Sequence, residues 1–295
     1  MAYGRSTKYR VRRTRRPRRY RRSTTTFRKT SSRYRRKTRV MSKRRILNTT
    51  STKKQDNMIP VATSATGTSP VTGSYTVFGN AGAMFVWCPT ARDRNTGSDP
   101  TSITTREADI CFIRGIKEAI TMRTTSSGPS GAGAWLWRRI VFSAKGLYTS
   151  KGTSVDAAFL SAGYVRLLAD QLTTPYGSVL TALIFKGGFG VDWNDTMTAK
   201  TDNTRVTIMY DKVTRLVPHN SSAQYWRFKR WHGVNKNLYY DNEEQGTVET
   251  VRPYSTVGKP GVGDIYIIDF FSAASQNSID QLAFSAEATL YWHEK

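Results

Sequence analysis

Residues 1–54 form a basic arm that contains no Asp or Glu and holds 23 of the 46 Lys and Arg residues in the chain. The arm is rich in Arg, Thr and Ser, and it has few aliphatic residues before Ile46. Such a segment cannot bury enough apolar surface to offset the entropy lost on ordering, so we expect it to be disordered when alone. Any folded core must therefore come from the residues that follow, where 23 bases face 21 acids.

The side chains of the arm are suited to binding a polyanion. Arg is more frequent than Lys and often occurs in adjacent pairs, and its planar guanidinium can bind two phosphate oxygens or stack on a base. Aromatic residues spaced among the arginines add surfaces for base stacking. The alternative is a solvated tail that only keeps the protein soluble or binds a membrane surface. We predict that the following residues bind nucleic acid: Arg5, Lys8, Arg10, Arg12, Arg13, Arg15, Arg16, Arg18, Arg19, Arg21, Arg22, Arg28, Lys29, Arg33, Arg35, Arg36, Lys37 and Arg39.

A second basic element lies at the end of the arm. It consists of Lys43, Arg44 and Arg45, followed after a short gap by Lys53 and Lys54. Short basic clusters of this kind are typical of nuclear import signals, which implies a host import receptor as partner. The alternative, that these residues are further contacts to nucleic acid, is compatible with the first role.

Beyond the arm, residues 55–74 are rich in Thr, Ser, Gly and Pro, and we interpret them as a connector to a core at residues 75–295. Cys88 and Cys111 are too few for a disulfide framework and lack metal-ligand spacing, so we expect buried, reduced thiols. No apolar run is long enough for a signal peptide or a membrane span. We therefore expect a protein that folds inside a cell.

Apolar residues with a period of two predict strands along the core, and the clearest pattern runs from Leu282 to Trp292. Residues 153–172 instead have apolar residues at spacings of three and four. Thr153 and Asp156 form a capping-box pair and Pro175 follows, which together predict a helix. Other strands are predicted at Met84–Trp87, Ile110–Arg123 as one strand or as two strands bent at Gly115, Trp135–Phe142, Val179–Phe185, Val206–Tyr210, Tyr225–Trp231 and Ile265–Phe271.

This succession of strands, with one helix and long Gly- and Ser-bearing loops, favours an all-β antiparallel sandwich over alternating βαβ units. Periodicity alone does not separate a jelly roll from an immunoglobulin-like sandwich. Both remain open from the residues themselves.

The sequence contains no recognisable catalytic constellation. Its three histidines, His219, His232 and His293, are far apart and form no HxH or HExxH pair, so the usual ligands of metal-dependent hydrolysis are missing. No phosphate-binding GxxxxGK[ST] loop is present either. We therefore predict no enzyme activity, no metal site and no cofactor.

One core segment, Tyr225–Trp231, interleaves aromatic and basic residues. On a strand, Arg227, Lys229 and Trp231 share one face, which makes them candidate core contacts to DNA. We favour the alternative in which Trp226 and Phe228 fill the core while the bases cover the surface or meet acidic loops of a neighbouring subunit. The adjacent bases Arg138 and Arg139 point to opposite faces of another strand, so one of them must be paired or displayed at an inner surface.

The segment Arg44–Met58, RRILNTTSTKKQDNM, resembles the arm-to-core junction of genomovirus capsid proteins. These are the coat proteins of small circular single-stranded DNA viruses related to geminiviruses. The resemblance extends over the Arg-rich opening, the chain length and the pattern of the core. It implies an eight-stranded jelly roll with one helix in a loop and a disordered basic arm. It also implies an icosahedral T=1 shell and a life in the virion and the host nucleus.

We therefore hypothesise a capsid protein that self-assembles as a closed homo-oligomer and packages viral single-stranded DNA through its arm. The competing classes are a cellular nucleic-acid-binding protein, such as a ribosomal protein with a basic extension, and an enzyme acting on nucleic acid. Assembly separates the first class from the other two. The nearly neutral core suits subunits that pack side by side, whereas a ribosomal protein would more often spread charge over its folded surface.

Overall fold

The structure is a computed structural model that describes residues 41–95, 102–126, 133–160, 163–219 and 223–295. The chain divides into two units, Met1–Ser42 and Lys43–Lys295. The predicted disorder and the predicted nucleic-acid contacts from Arg5 to Arg39 lie outside the described residues. The second unit contains all helices and strands of the described residues.

Strands dominate the described part of this unit, which also contains two α-helices and one 3-10 helix. The helices are α1 (Lys43–Thr50), the 3-10 turn Leu147–Ser150 and α2 (Pro175–Ile184). The strands are β1 (Thr52–Met58), β2 (Pro60–Thr63), β3 (Val71–Thr72), β4 (Tyr75–Phe78), β5 (Ala83–Trp87), β6 (Ile110–Ser126), β7 (Trp135–Ala144), β8 (Phe159–Leu160), β9 (Gly163–Tyr164), β10 (Arg166–Ala169), β11 (Thr207–Leu216), β12 (Tyr225–Gln245), β13 (Val248–Ser255), β14 (Asp264–Ala273) and β15 (Asp280–Glu294).

Eight of these strands pair in the order that defines a jelly roll. The first pairs with the last, β1 with β15, and the others nest inside as β5 with β14, β6 with β12 and β7 with β11, all antiparallel. These pairs are distributed over two sheets, β1-β15-β6-β12-β13 and β11-β7-β14-β5. The fold is therefore an all-β antiparallel jelly-roll sandwich, as expected.

The remaining strands extend this framework. β4 pairs with the part of β15 that β1 leaves open, and β13 continues the first sheet beyond β12. β10, β2 and β3 form a small separate sheet, in which β10 and β2 run parallel. The helix α2 lies in the connection between β10 and β11.

The clearest sequence patterns are confirmed. β15 alternates strictly, with its even positions from Asp280 to Glu294 buried between the sheets. Every residue of β5 is buried, as expected for a strand covered on both faces. In β6 the buried side chains change from odd to even positions at Gly115, where φ is +155° and the pairing with β12 has a register shift. Cys88 and Cys111 are both buried and free.

The predicted helix at 153–172 is wrong. This stretch contains β8, β9 and β10 instead, and Leu167 and Leu168 belong to a strand that is buried on both faces. The capping-box residue Asp156 is also buried, and its carboxylate accepts hydrogen bonds from the hydroxyls of Tyr176 (3.1 Å) and Tyr254 (2.6 Å).

The predicted strand Val179–Phe185 is wrong as well, because it falls in α2. The Thr174 side chain caps this helix by accepting a hydrogen bond from the Gly177 amide (3.0 Å), and Pro175 occupies its first turn. Pro is favoured in the first turn of a helix, so here it marks the start of a helix and not the end of one.

The fold also begins before the expected boundary at residue 54. Residues 43–50 form α1, and the expected boundary falls within β1. The expected connector at 55–74 contains the rest of β1 together with β2 and β3. The reason is register, because residues 54, 56 and 58 point into the sandwich and bury their side chains against β15.

A ring of four charged side chains joins the layers of the sandwich. Arg139 on β7 donates to Asp269 on β14 (2.7 and 2.8 Å) and to Glu118 on β6. Arg166 on β10 also donates to Glu118 (3.1 Å) and to Asp269 (2.9 Å). We call these four residues the charged ring. All four are buried, and the ring is neutral because two bases face two acids.

Arg138, the neighbour of Arg139, points to the other face of β7 and is paired as well. Its guanidinium binds both carboxylate oxygens of Asp211 (2.9 and 2.7 Å) and the carbonyls of Thr196 and Ala199. Both bases of this pair are therefore held inside the fold, and neither is displayed at a surface.

Candidate nucleic-acid interface

The outward side of the first sheet carries the aromatic and basic residues of β12. Tyr225, Arg227, Lys229 and Trp231 are all exposed, whereas Trp226 and Phe228, between them, pack against the core. A strand turns successive side chains to opposite faces, so the first four residues form one row. At about 3.3 Å per residue, this row is about 20 Å long.

The neighbouring strand β6 adds two bases to the same side. Arg123 lies directly opposite Tyr225, and Lys117 lies directly opposite Trp231. Both bases are exposed. Each exposed aromatic side chain thus has a cation as its nearest cross-strand neighbour, since directly opposed residues lie about 5 Å apart. We call these six residues, Lys117, Arg123, Tyr225, Arg227, Lys229 and Trp231, the sheet face.

A glycine determines how the Trp231 ring lies. A Cβ at Gly115 would approach the Trp231 ring to 2.7 Å and the His232 carbonyl oxygen to 2.5 Å. The ring therefore rests on the bare backbone of β6, and the Tyr291 ring from β15 lies beside it at a centroid distance of 5.8 Å. Trp231 is still 49% exposed, so one side of the indole remains open to stack on a base.

The charge of the sheet face is not compensated. Within the described part of the chain, none of its four bases forms an ion pair. The exposed acid Glu287 lies near them on β15, opposite Ala119. Beside Lys117, a groove of about 360 Å³ opens between β1, β6 and β15. Free cations beside exposed rings can hold phosphates while bases stack, which is how single strands are bound without sequence preference.

The second basic element of the sequence is divided by the fold. Lys43 and Arg45 are exposed on α1, and Arg44 belongs to the same helix. Lys53 is exposed on β1. Lys54 is buried, and its Nζ lies 3.0 Å from Glu107 Oε1 and 3.3 Å from Glu294 Oε2. As part of an import signal or as a contact to nucleic acid, Lys54 is thus inaccessible in the folded chain.

The three candidate core contacts, Arg227, Lys229 and Trp231, are exposed on the same face of β12, as strand alternation predicted. Lys117 and Arg123 were not among the predicted contacts. The alternation of β6 already placed Lys117 and Arg123 on one face, but the sequence did not show which strand pairs with β6. Only the pairing of β12 with β6 brings the two sets of bases together.

The described residues contain no group of three or more His, Cys, Asp or Glu side chains that could hold a metal ion. His232 is buried in the sandwich with its Nε2 3.9 Å from Glu118 Oε2, and burial together with nearby Arg139 lowers its pKa to about 4. Among the helices of the described part, none is long and apolar enough to cross a membrane.

No protein-family model matches the chain, and no curated protein matches it. Among solved structures, it is similar to VP1 of Trichodysplasia spinulosa-associated polyomavirus in complex with GM1 oligosaccharide. The identity is 11% over 81% of this chain and 84% of that chain, with a TM-score of 0.14. A second structure of the same VP1 has 9% identity over 83% and 79%, with a TM-score of 0.09. These scores are too low to carry an argument, so the fold assignment rests on the strand pairing.

Proposed function

We propose that this chain is the capsid protein of a small circular single-stranded DNA virus. One combination carries the proposal: an eight-stranded jelly roll preceded by an acid-free basic arm. The jelly roll is an architecture of viral capsid domains, and a segment of this composition binds polyanions. The resemblance of residues 44–58 to the junction of genomovirus capsid proteins supports the same function.

The arm and the sheet face have different tasks in this proposal. The arm neutralises the genome, because 22 of its 23 bases, all but the buried Lys54, can bind phosphates without regard to sequence. In a T=1 shell of about 60 copies, the arms would supply about 1,300 positive charges. The sheet face adds a folded surface where a single strand can stack its bases.

The localisation follows from the same function. The protein enters the host nucleus, where a circular DNA virus replicates, and later forms the shell of the virion. Exposed Lys43 and Arg45 on α1, with Lys53 on β1, are the folded part of the import signal that a host import receptor binds. The paired arginines from Arg12 to Arg22 provide further basic clusters.

Assembly is the property that tests the capsid function. The purified full-length protein, alone or with single-stranded DNA, is expected to form closed particles of uniform size in negative-stain electron microscopy and light scattering. Identical subunits with heterologous contacts that close produce such particles. A protein that stays monomeric across salt, pH and DNA concentration is not a capsid protein, and a cellular nucleic-acid-binding protein with a basic extension becomes the better explanation.

A further inference from the structure

The end of β12 leaves the body of the sandwich. β12 pairs with β6 as far as Tyr239, and from Asn242 onward its strand partner is β13 alone. Glu243, Glu244 and residues 246–250 are exposed. We call residues 242–251 the acidic hairpin, because Glu243 and Glu244 project from it and neither belongs to a described ion pair. Val248, near its tip, is 63% exposed.

β11 presents an unpaired edge of the second sheet. It pairs with β7 on one side, and among the described residues no backbone hydrogen bond is made on its other side. Lys212, Val213 and Arg215 are exposed along this strand, and neither base has a described ion-pair partner. An open edge of ten residues is a template for pairing with another chain.

The two features are complementary in charge and in geometry. Glu243 and Glu244 are consecutive, so a strand turns one carboxylate to each face. Lys212 and Arg215 are three apart, so β11 also turns one base to each face. The Tyr240 amide still donates to the Asp109 carbonyl (2.9 Å), and past Tyr240 no described backbone hydrogen bond occupies the side of β12 that had paired with β6. In one antiparallel register, Glu243 would lie directly opposite Arg215 on one face, and Glu244 would lie diagonal to Lys212 on the other face, which is still within reach of long side chains.

The same charges disfavour pairing between like elements. Two β11 edges related by a two-fold axis would bring Lys and Arg against Lys and Arg, and two acidic hairpins would bring Glu against Glu. Like charges directly opposite each other destabilise a strand pair. The contact must therefore join different elements of two copies, and such a head-to-tail contact generates a ring when the rotation closes.

We propose that the acidic hairpin of one copy adds to the β11 edge of a second copy of this chain, as a repeated contact in the assembled particle. This inference rests on the proposed function, since it names the contact through which the subunits assemble. It uses strand addition, in which backbone hydrogen bonds give affinity and side chains give specificity.

Charge reversal with rescue tests this contact in the full-length protein. K212E/R215E and E243K/E244K are each expected to raise the protein concentration needed for assembly by about tenfold or more, because like charges then face each other. Mixing the two variants should restore complementary contacts between unlike copies, and combining all four changes in one chain should bring assembly back to within about threefold of the parent. Particle formation is followed by light scattering and electron microscopy.

The matched control is K186E/K200E, which reverses two exposed lysines on the segments that follow α2 and should assemble like the parent. Thermal unfolding verifies that every variant is folded. If both reversed pairs assemble at the parent concentration, or if the fourfold variant does not recover, the proposed contact is wrong while the capsid function stands. If the parent itself never assembles, the proposed function fails first.

Discussion

Two buried groups, His232 and Asp264, have pKa values that are shifted in opposite directions. Burial and the nearby Arg139 lower the pKa of His232 to about 4, although Glu118 and Asp269 act against this and Arg230 adds to it. Burial raises the pKa of Asp264 to about 7, against the hydrogen bonds that its carboxylate accepts from Ser255 (2.8 to 3.1 Å). Each group is thus neutral in the folded state over much of the range between pH 4 and 7.

The two groups should make stability depend on pH with opposite signs. The folded chain keeps His232 neutral while the unfolded chain protonates it, so its contribution is lost as pH falls from about 6.5 to 4 and amounts to about 3 kcal/mol. Asp264 keeps its proton in the folded state, so its contribution is lost as pH rises from about 4 to 7 and amounts to about 4 kcal/mol. In the parent the two slopes largely cancel.

Substitution should expose each slope. The free energy of unfolding of H232Q is expected to fall as pH rises from 4 to 7, because only the contribution of Asp264 remains. The free energy of unfolding of D264N is expected to rise over the same pH range, because only the contribution of His232 remains. Urea unfolding at several pH values, at protein concentrations too low for assembly, measures both slopes. Profiles that stay parallel to that of the parent would show that neither group titrates in this range.

At the scale of elements, the sheet face makes a prediction that is separate from the arm. R227A/K229A should reduce the affinity for single-stranded DNA and flatten its salt dependence, by about 0.7 in the logarithmic slope for each phosphate that the protein no longer neutralises. W231A should weaken binding by about 1–3 kcal/mol with little change in the slope, because stacking releases no counterions. Titrations of oligothymidylate into the full-length protein at several salt concentrations give both quantities.

K186A/K200A is the control, since it removes two exposed lysines that lie off the sheet face. Its salt slope should stay within error of the parent value. Equal losses of affinity in the control and in R227A/K229A would mean that the sheet face acts only through net charge. An unchanged affinity in R227A/K229A and W231A would assign all DNA binding to the arm.

The elements also show what the sequence could and could not predict. Strands such as β5 and β15 were predictable because burial imposes one short local pattern on them. Residues 153–172 misled because several short strands and turns placed apolar residues by chance at helical spacing. Pro175 was equally compatible with either end of a helix, and only the Thr174 cap decides between them.

The charged ring was beyond prediction for a different reason. Its members come from β6, β7, β10 and β14, so no local pattern connects them. In the sequence, each of these Arg, Asp and Glu residues resembles a surface residue, because its buried partner lies on a different strand. Only half of the sheet face was predictable. Its β12 residues follow from alternation along one strand, whereas its β6 residues join them only through the pairing of β6 with β12.

At the scale of the whole molecule, packaging should depend on the charges of the arm. Replacing the paired arginines from Arg12 to Arg22 by Ala is expected to flatten the salt dependence of DNA binding and to give particles depleted of DNA. Lys at the same positions should retain much of the affinity but lose bidentate contacts and stacking. The ratio of absorbance at 260 and 280 nm in purified particles reports the DNA content. Ala-substituted particles that package DNA like the parent would move genome binding to the sheet face.

The nested pairing of the eight strands also fixes when the fold can form. β1 has its partner β15 more than 200 residues further along the chain, in a register that sets Thr52 beside Glu294. The charged ring stays incomplete until β14 supplies Asp269. Contacts of such large sequence separation form slowly. β15 must therefore be synthesised before the sandwich can close, and nascent chains must be kept from one another until then.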